Sequence, residues 1–197
     1  NLRESLVDLS TNIPVDFANI TAIGTLAGQL GVAAEDIAGF TEVVAMFSAS
    51  TNVSVEKSAE DIGRVAQLTG VAGDQYENLA SSIYQVGVTS VATESAILET
   101  ATNISTAGNL AGFSADQIVA LSGAFASLGV APERARGSVQ RIFGELTNAV
   151  SSGGAQLTAF ANLSGMTASD FAAAWKGDPQ VAFNAFVQGL GAEIVFL

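Results

Sequence analysis

The stretch GFSADQIVALSGAFASLGVAPERARGSVQRIFGEL, residues 112–146, decides the reading of the whole chain. It holds two junctions of one kind, AGFSADQ at 111–117 and LGVAPE at 128–133, where a Gly is followed by a hydrophobic residue, a small residue or Pro, and an acid. Gly tolerates the left-handed conformation that ends a helix, and a hydroxyl N-cap with an acid in the first turn starts the next. Between the junctions Ile118, Leu121, Phe125 and Leu128 recur at helical spacing. Beyond the second, Pro132 opens a helix whose apolar face is Ala135, Val139, Ile142, Phe143, Leu146 and Val150. This helix also gathers Arg134, Arg136 and Arg141, three of the seven basic residues in the chain, all off that face. Arg141 stands four residues before Glu145, the spacing of a helical ion pair. Gly137 and Gly144, seven apart on one side, are candidate close-packing glycines that let a neighbouring backbone approach. Two readings stay open: a solvated amphipathic helix, and a helix that docks a partner through Arg134, Arg136 and Arg141.

The same grammar extends outward to LGVAAED at 30–36, TNVSVE at 51–56, TGVAGDQ at 69–75 and SGMTASD at 164–170, where Gly or Asn is the stop signal. Ile37, Phe40, Val44 and Phe47 repeat the helical period, and Phe183, Phe186, Val187 and Leu190 follow an Asp178–Pro179 start. Ser114 with Gln117 fits a capping box. No comparable run alternates with period two. The expectation is an all-α chain of about ten short helices and helical hairpins without a sheet, near 3–10, 15–29, 33–50, 54–69, 72–86, 90–107, 114–128, 132–151, 155–163, 168–176 and 178–190. Uneven spacing of the Gly turns does not support a solenoid of identical repeats. SSGG at 151–154 marks the expected boundary between a larger helical region, 1–150, and a small C-terminal helical subdomain, 155–197.

Composition narrows the function. With 197 residues, 49% hydrophobic, the chain can bury a sizeable core. A formal charge of −12 argues against direct binding of nucleic acid, which relies on Lys and Arg. Cysteine and histidine are absent, which removes disulfides, thiolate nucleophiles, imidazole bases and Cys/His metal sites. No catalytic, cofactor-binding or metal-binding residues are assigned, and an enzyme is not expected. The paired acids Glu35–Asp36 and Glu60–Asp61 read as solvated charges, and GLG at 189–191 lacks the third glycine and the strand of a dinucleotide site. The N-x-[ST] matches at Asn19, Asn52, Asn103 and Asn162 read as chance. Phe171 and Trp175, four apart, read as closing a small core. The apolar run at 17–34 is interrupted by Asn, Thr and Gln, against a membrane span. Mean hydropathy of +0.41 is high and points to faces that pack on partner chains. A start without Met and the ending GAEIVFL read as a piece of something longer.

The segment 112–146 resembles the signature hairpin of the phage tail tape measure protein family. NIPVDFANITAIGTLAGQLGVAAEDIAGFTEVV at 12–44 resembles that family's upstream helices, and LSGMTASDFAAAWKGDPQVAFNAFVQGL at 163–190 its downstream end. The resemblance implies a minor tail protein of the virion, inside the tail tube or at the tail tip. It would act in tail assembly and tail length determination and be released ahead of the DNA during genome ejection. Implied partners are further copies of itself in a symmetric homo-oligomer, threefold by family expectation, with tail tube and tail tip proteins, tail assembly chaperones, and the host membrane during ejection. At 197 residues the chain is short for such a protein and would be its core region. Two other readings remain: a secreted or surface helical interaction protein, and the non-catalytic part of a cell-wall hydrolase.

Overall fold

Four Gly junctions, at Gly31, Gly112, Gly129 and Gly165, close with the same pair of backbone bonds. At the end of the seventh helix the Val130 amide donates to the Phe125 carbonyl at 3.0 Å and the Gly129 amide to that of Ala126 at 3.0 Å. At the end of the sixth, Phe113 donates to Gly108 at 3.0 Å and Gly112 to Asn109 at 3.0 Å. Gly129 (φ 68°) and Gly112 (φ 90°) are left-handed there, which any residue with a Cβ resists. The bond from the residue after the glycine recurs at Val32, Val71 and Met166. The computed structural model that shows these bonds describes the backbone of residues 2–195 and the side chains of 2–192. The outermost residues of the 1–150 and 155–197 regions therefore lie outside the described residues.

Eleven helices result among the described residues: α1 Leu2–Asn12, α2 Phe17–Gln29, α3 Ile37–Ser50, α4 Val55–Thr69, α5 Gln75–Thr89, α6 Glu94–Leu110, α7 Ala115–Ser127, α8 Pro132–Ser152, α9 Gly154–Leu163, α10 Ala168–Gly177 and α11 Pro179–Val195. The all-α expectation holds. Hydroxyl and carboxylate caps sit at Asp16, Ser54, Thr93, Ser114 and Thr167, with the full capping box at Ser114 and Gln117. Asp178 accepts from the Gln180 amide at 3.2 Å to start α11. Three junctions depart from the expected grammar. Asp36 and Asp74 are helical and accept no cap bond, because 33–36 and 72–75 close as turns (Asp36 to Ala33, 2.8 Å; Gln75 to Ala72, 3.2 Å), so α3 and α5 begin later than expected. At 51–56 the stop is an extended Thr51, and no non-Gly residue is left-handed among those described.

α6 runs through the centre, packed by α4, α5, α7 and α8. Ile97, Leu98, Ala101 and Ile104 are fully buried on it, and a helix apolar on several sides has to be enclosed. Its buried Thr100 and Ser105 hydroxyls donate back to the Ala96 and Ala101 carbonyls, at 2.8 and 2.6 Å. α7 closes onto α6 where Gly108 faces Ile118, whose Cγ1 would lie 2.7 Å from an added Cβ. On one side α1–α5 enclose Ile20, Ile23, Phe40 and Ile62, with Phe40 edge-on to Tyr76 at 5.1 Å. On the other side α9–α11 pack on one another and on α8. Phe113, Phe143, Trp175 and Phe183 meet there: Phe113 stacks on Phe143 at 4.5 Å, and Trp175 lies edge-on to Phe143 at 5.8 Å. Phe171 and Trp175 are buried, as their spacing implied. Gln117 also reaches Asp178 at 2.9 Å. Gly153 and Gly154 carry the turn between α8 and α9. Not every apolar residue in the periodic stripes is covered: Leu128 is 79% exposed at its helix cap, and Val187 and Leu190 on α11 are 47% and 40% exposed. No helix among the described residues is long and apolar enough to cross a membrane.

Candidate functional site

The buried residues of α8 are Ala135, Val139, Phe143, Leu146, Ala149 and Val150. Ile142, expected with them, is only half-buried at the edge of that face. The helical period then puts Arg134, Gly137, Arg141, Gly144 and Asn148 in one stripe on the opposite side, and all five are exposed. Arg136, also exposed, stands on the flank between stripe and core. The expected Arg141–Glu145 pair does not form, because Glu145 instead accepts from Gln156 Nε2 at 2.9 Å. Among the described residues no ion pair engages Arg134, Arg136 or Arg141. The contrast with α4 is local: there Lys57 meets Asp61 at 2.8 Å and Arg64 meets Glu60 at 2.7 Å, each within one helical turn.

An added Cβ at Gly137 or Gly144 would meet nothing within 4 Å, so neither glycine admits another element of this chain. The tightly packed glycines are others, such as Gly63 against Leu30, Gly123 against Val86 and Gly189 against the Leu163 backbone. On α8 Gly137 leaves a hollow between Arg134 and Arg141 on an open face, and Gly144 leaves another one turn beyond Arg141. Beside Gly144 a depression of about 230 Å³ lies between α6 and α8, with Leu110, Gln140 and Thr147 in its wall.

A second surface escaped the sequence reading. α3 and α5 flank a groove of about 550 Å³ with Val43, Phe47 and Ala80 at its base. Met46, 54% exposed, and Tyr84, 36% exposed, stand along it, and Glu42, Asp74 and Glu77 add carboxylates. The signal was present in the sequence. Met46 lies off the α3 core positions Phe40, Val44 and Phe47, and Tyr84 off the α5 positions Tyr76, Leu79 and Ile83, so two bulky side chains fall on polar faces.

Lys57 on α4 and Tyr76, at the end of the groove where α3 and α5 begin, are electrostatically perturbed. The hydrogen bond from Lys57 to Asp61 holds its ammonium above the ordinary lysine range, against the opposing effect of partial burial. Burial, helped by the charge of Asp36, pushes the Tyr76 phenol up. The Ser58 hydroxyl, fully buried on α4, makes no hydrogen bond. What α8 and the α3–α5 groove offer is recognition: a basic face with hollows, and an acidic groove with an apolar base.

No curated protein matches the chain, and no solved structure does. Residues 3–192 match the family described as phage-related minor tail protein, which takes in all three blocks that carried the sequence resemblance. With nearly the whole chain inside that match, the protein belongs to the phage-related minor tail protein family and has a structural role in a phage tail.

Proposed function

We propose that the chain is the folded core region of a tape measure protein, acting in tail assembly and tail length determination and leaving ahead of the DNA during genome ejection. The observation that carries the reading is the family match across 3–192, which spans the helices around the 112–146 hairpin in one stretch. Its place would be inside the tail tube or at the tip. Its partners would be tube and tip proteins, assembly chaperones and further copies of itself, with host membrane contact during ejection. The unpaired arginines of α8 are the docking face in this reading. A charge of −12 suits a protein that shares a conduit with DNA and has to let go of it, since phosphate affinity comes from basic residues. The role is one of contact and not of catalysis.

The test is electron microscopy of particles whose gene carries an in-frame deletion of residues 54–131. Helices laid along the tube rise ~1.5 Å per residue, so an extended ruler loses on the order of 100 Å of tail. Because the deletion also removes α6, around which α4, α5, α7 and α8 pack, failure of tails to assemble is the other expected defect. Tails of normal length in normal number would refute the reading.

A further inference from the structure

We propose that the α3–α5 groove of one copy receives the Arg134–Gly144 face of α8 from a second copy, so that the chain self-associates head to tail. The inference rests on the reading of α8 as a docking helix and supplies the surface it docks to.

Charge complementarity is the first argument. α3 and α5 begin at the same end of the groove, since Phe40 touches Tyr76 and Gly73 lies beside Asp36. Glu42, Asp74 and Glu77 therefore gather towards that end, while Met46, Phe47 and Tyr84 lie further along. The occupant this polarity fits is a helix with cations on a slim face. In a chain of seven basic residues, Arg134 and Arg141 stand on one exposed stripe without an acidic partner. Glu133 and Glu145 border that stripe without pairing with its arginines, and Glu145 is held by Gln156.

Shape is the second argument. From residue 39 to residue 50 the α3 wall runs ~16 Å, and from Arg134 to Gly144 the α8 face runs ~15 Å. The groove raises two bulky exposed side chains, Met46 and Tyr84. The α8 face offers two hollows, Gly137 and Gly144, with nothing of their own chain within 4 Å of an added Cβ. Large side chains seated against glycine let helices approach closely, as in other helix-in-groove contacts. One molecule cannot satisfy both surfaces by itself, because α8 packs on α6, α7, α9 and α10, while α3 packs on α1, α2, α4 and α5. The contact is heterologous and leaves a free groove and a free α8 at its two ends, so copies add until a ring closes or a filament grows.

Sedimentation velocity of the 197-residue chain over a concentration series tests this. The wild type associates with rising concentration. Arg134→Glu with Arg141→Glu, and separately Glu42→Lys with Glu77→Lys, each weaken association at least ~10-fold while far-UV circular dichroism stays unchanged. An equimolar mixture of the two charge-reversed proteins restores it. Arg3→Glu with Lys176→Glu, which alters net charge as the α8 reversal does but on α1 and α10, leaves it intact. Gly137→Glu, which fills a hollow and pairs with Arg134 and Arg141 inside the helix, abolishes it. A wild type that is monomeric throughout, or reversals without effect, overturns the proposal. If the α8 reversal acts and the groove reversal does not, α8 docks elsewhere and only the groove assignment fails. Tail length in the deletion experiment is read independently of all these outcomes.

Discussion

Truncating Phe143 to Ala tests the packing that joins α8 to the C-terminal helices. The ring is 3% exposed, stacks on Phe113 at 4.5 Å and meets Phe183 edge-on at 5.2 Å and Trp175 at 5.8 Å. Loss of a buried Phe removes its transfer free energy and leaves a cavity, together about 3–5 kcal/mol. Geometry between aromatic rings adds ~0.5–1.5 kcal/mol per pair. With three ring partners the loss belongs in the upper half of that range, about 4 kcal/mol, a large part of the ~5–15 kcal/mol that holds a typical protein folded. For a chain of this length it corresponds to a fall in Tm of roughly 8–16 °C. Urea unfolding followed by far-UV circular dichroism and by fluorescence provides the assay. Trp175 is the single Trp, buried on α10 with its Nε1 3.2 Å from Thr147 Oγ1 of α8, so its emission reports the same junction from the other side. Both signals are expected to shift together. A loss below ~1 kcal/mol, or a fluorescence midpoint that moves while the dichroism midpoint stays, would show that the aromatic cluster does not couple the two groups of helices.

Two further outcomes follow from local structure. Gly189→Ala places a Cβ onto the Leu163 carbonyl, a backbone atom that cannot rotate away, so it costs about 1–3 kcal/mol by overpacking despite the better helix propensity of Ala; a thermal melt at or above wild type would contradict it. Lys57 and Tyr76 both carry folded-state pKa values raised above their ordinary 10.5 and 10.0, so their contribution is fully present below pH ~10 and is lost as pH rises through the folded values; denaturant midpoints measured from about pH 8 to 11 should fall only at the alkaline end, less steeply in Tyr76→Phe, and a flat profile would refute this.

The helices were legible because their ends are written in short-range chemistry. Gly112 and Gly129 stop α6 and α7, Ser114 and Gln117 start α7, and these bonds involve near neighbours in the chain. Burial along α8 was legible too, since Val139, Phe143 and Leu146 keep the helical period. What depends on a distant neighbour was not. Gly189 and Gly123 have no sequence mark that separates them from Gly137 and Gly144, because only the path of another element decides which glycine is crowded. Met46 and Tyr84 mark the two walls of the α3–α5 groove in the sequence, but their meeting does not show there, because α3 and α5, separated by all of α4, come to lie side by side only in the fold. The starts of α3 and α5 were read too early because tight turns at 33–36 and 72–75 come before the helices.

The charge pattern of α8 motivates the proposal that it docks a partner. A chain with 19 acidic residues has ample means to neutralise three arginines, and α4 shows how, with an acid one turn from each base. On α8 the positions that would serve both Arg134 and Arg141 are those of Gly137 and Ser138, each three or four residues from either arginine. An acid at either would be worth only a few tenths of a kcal/mol per pair, yet at Gly137 it would also improve a helix interior that Gly weakens by about 1 kcal/mol. Local helix stability alone would favour an acidic side chain at either position, and the chain has Gly137 and Ser138. Nothing within the chain uses the space that glycine leaves, and in the docking reading proposed above a side chain of a second copy seats there. In the proposed contact Gly137, between Arg134 and Arg141, and Gly144, one turn beyond Arg141, give bulky side chains of a second copy room beside the cations, a use that a purely solvated face does not have.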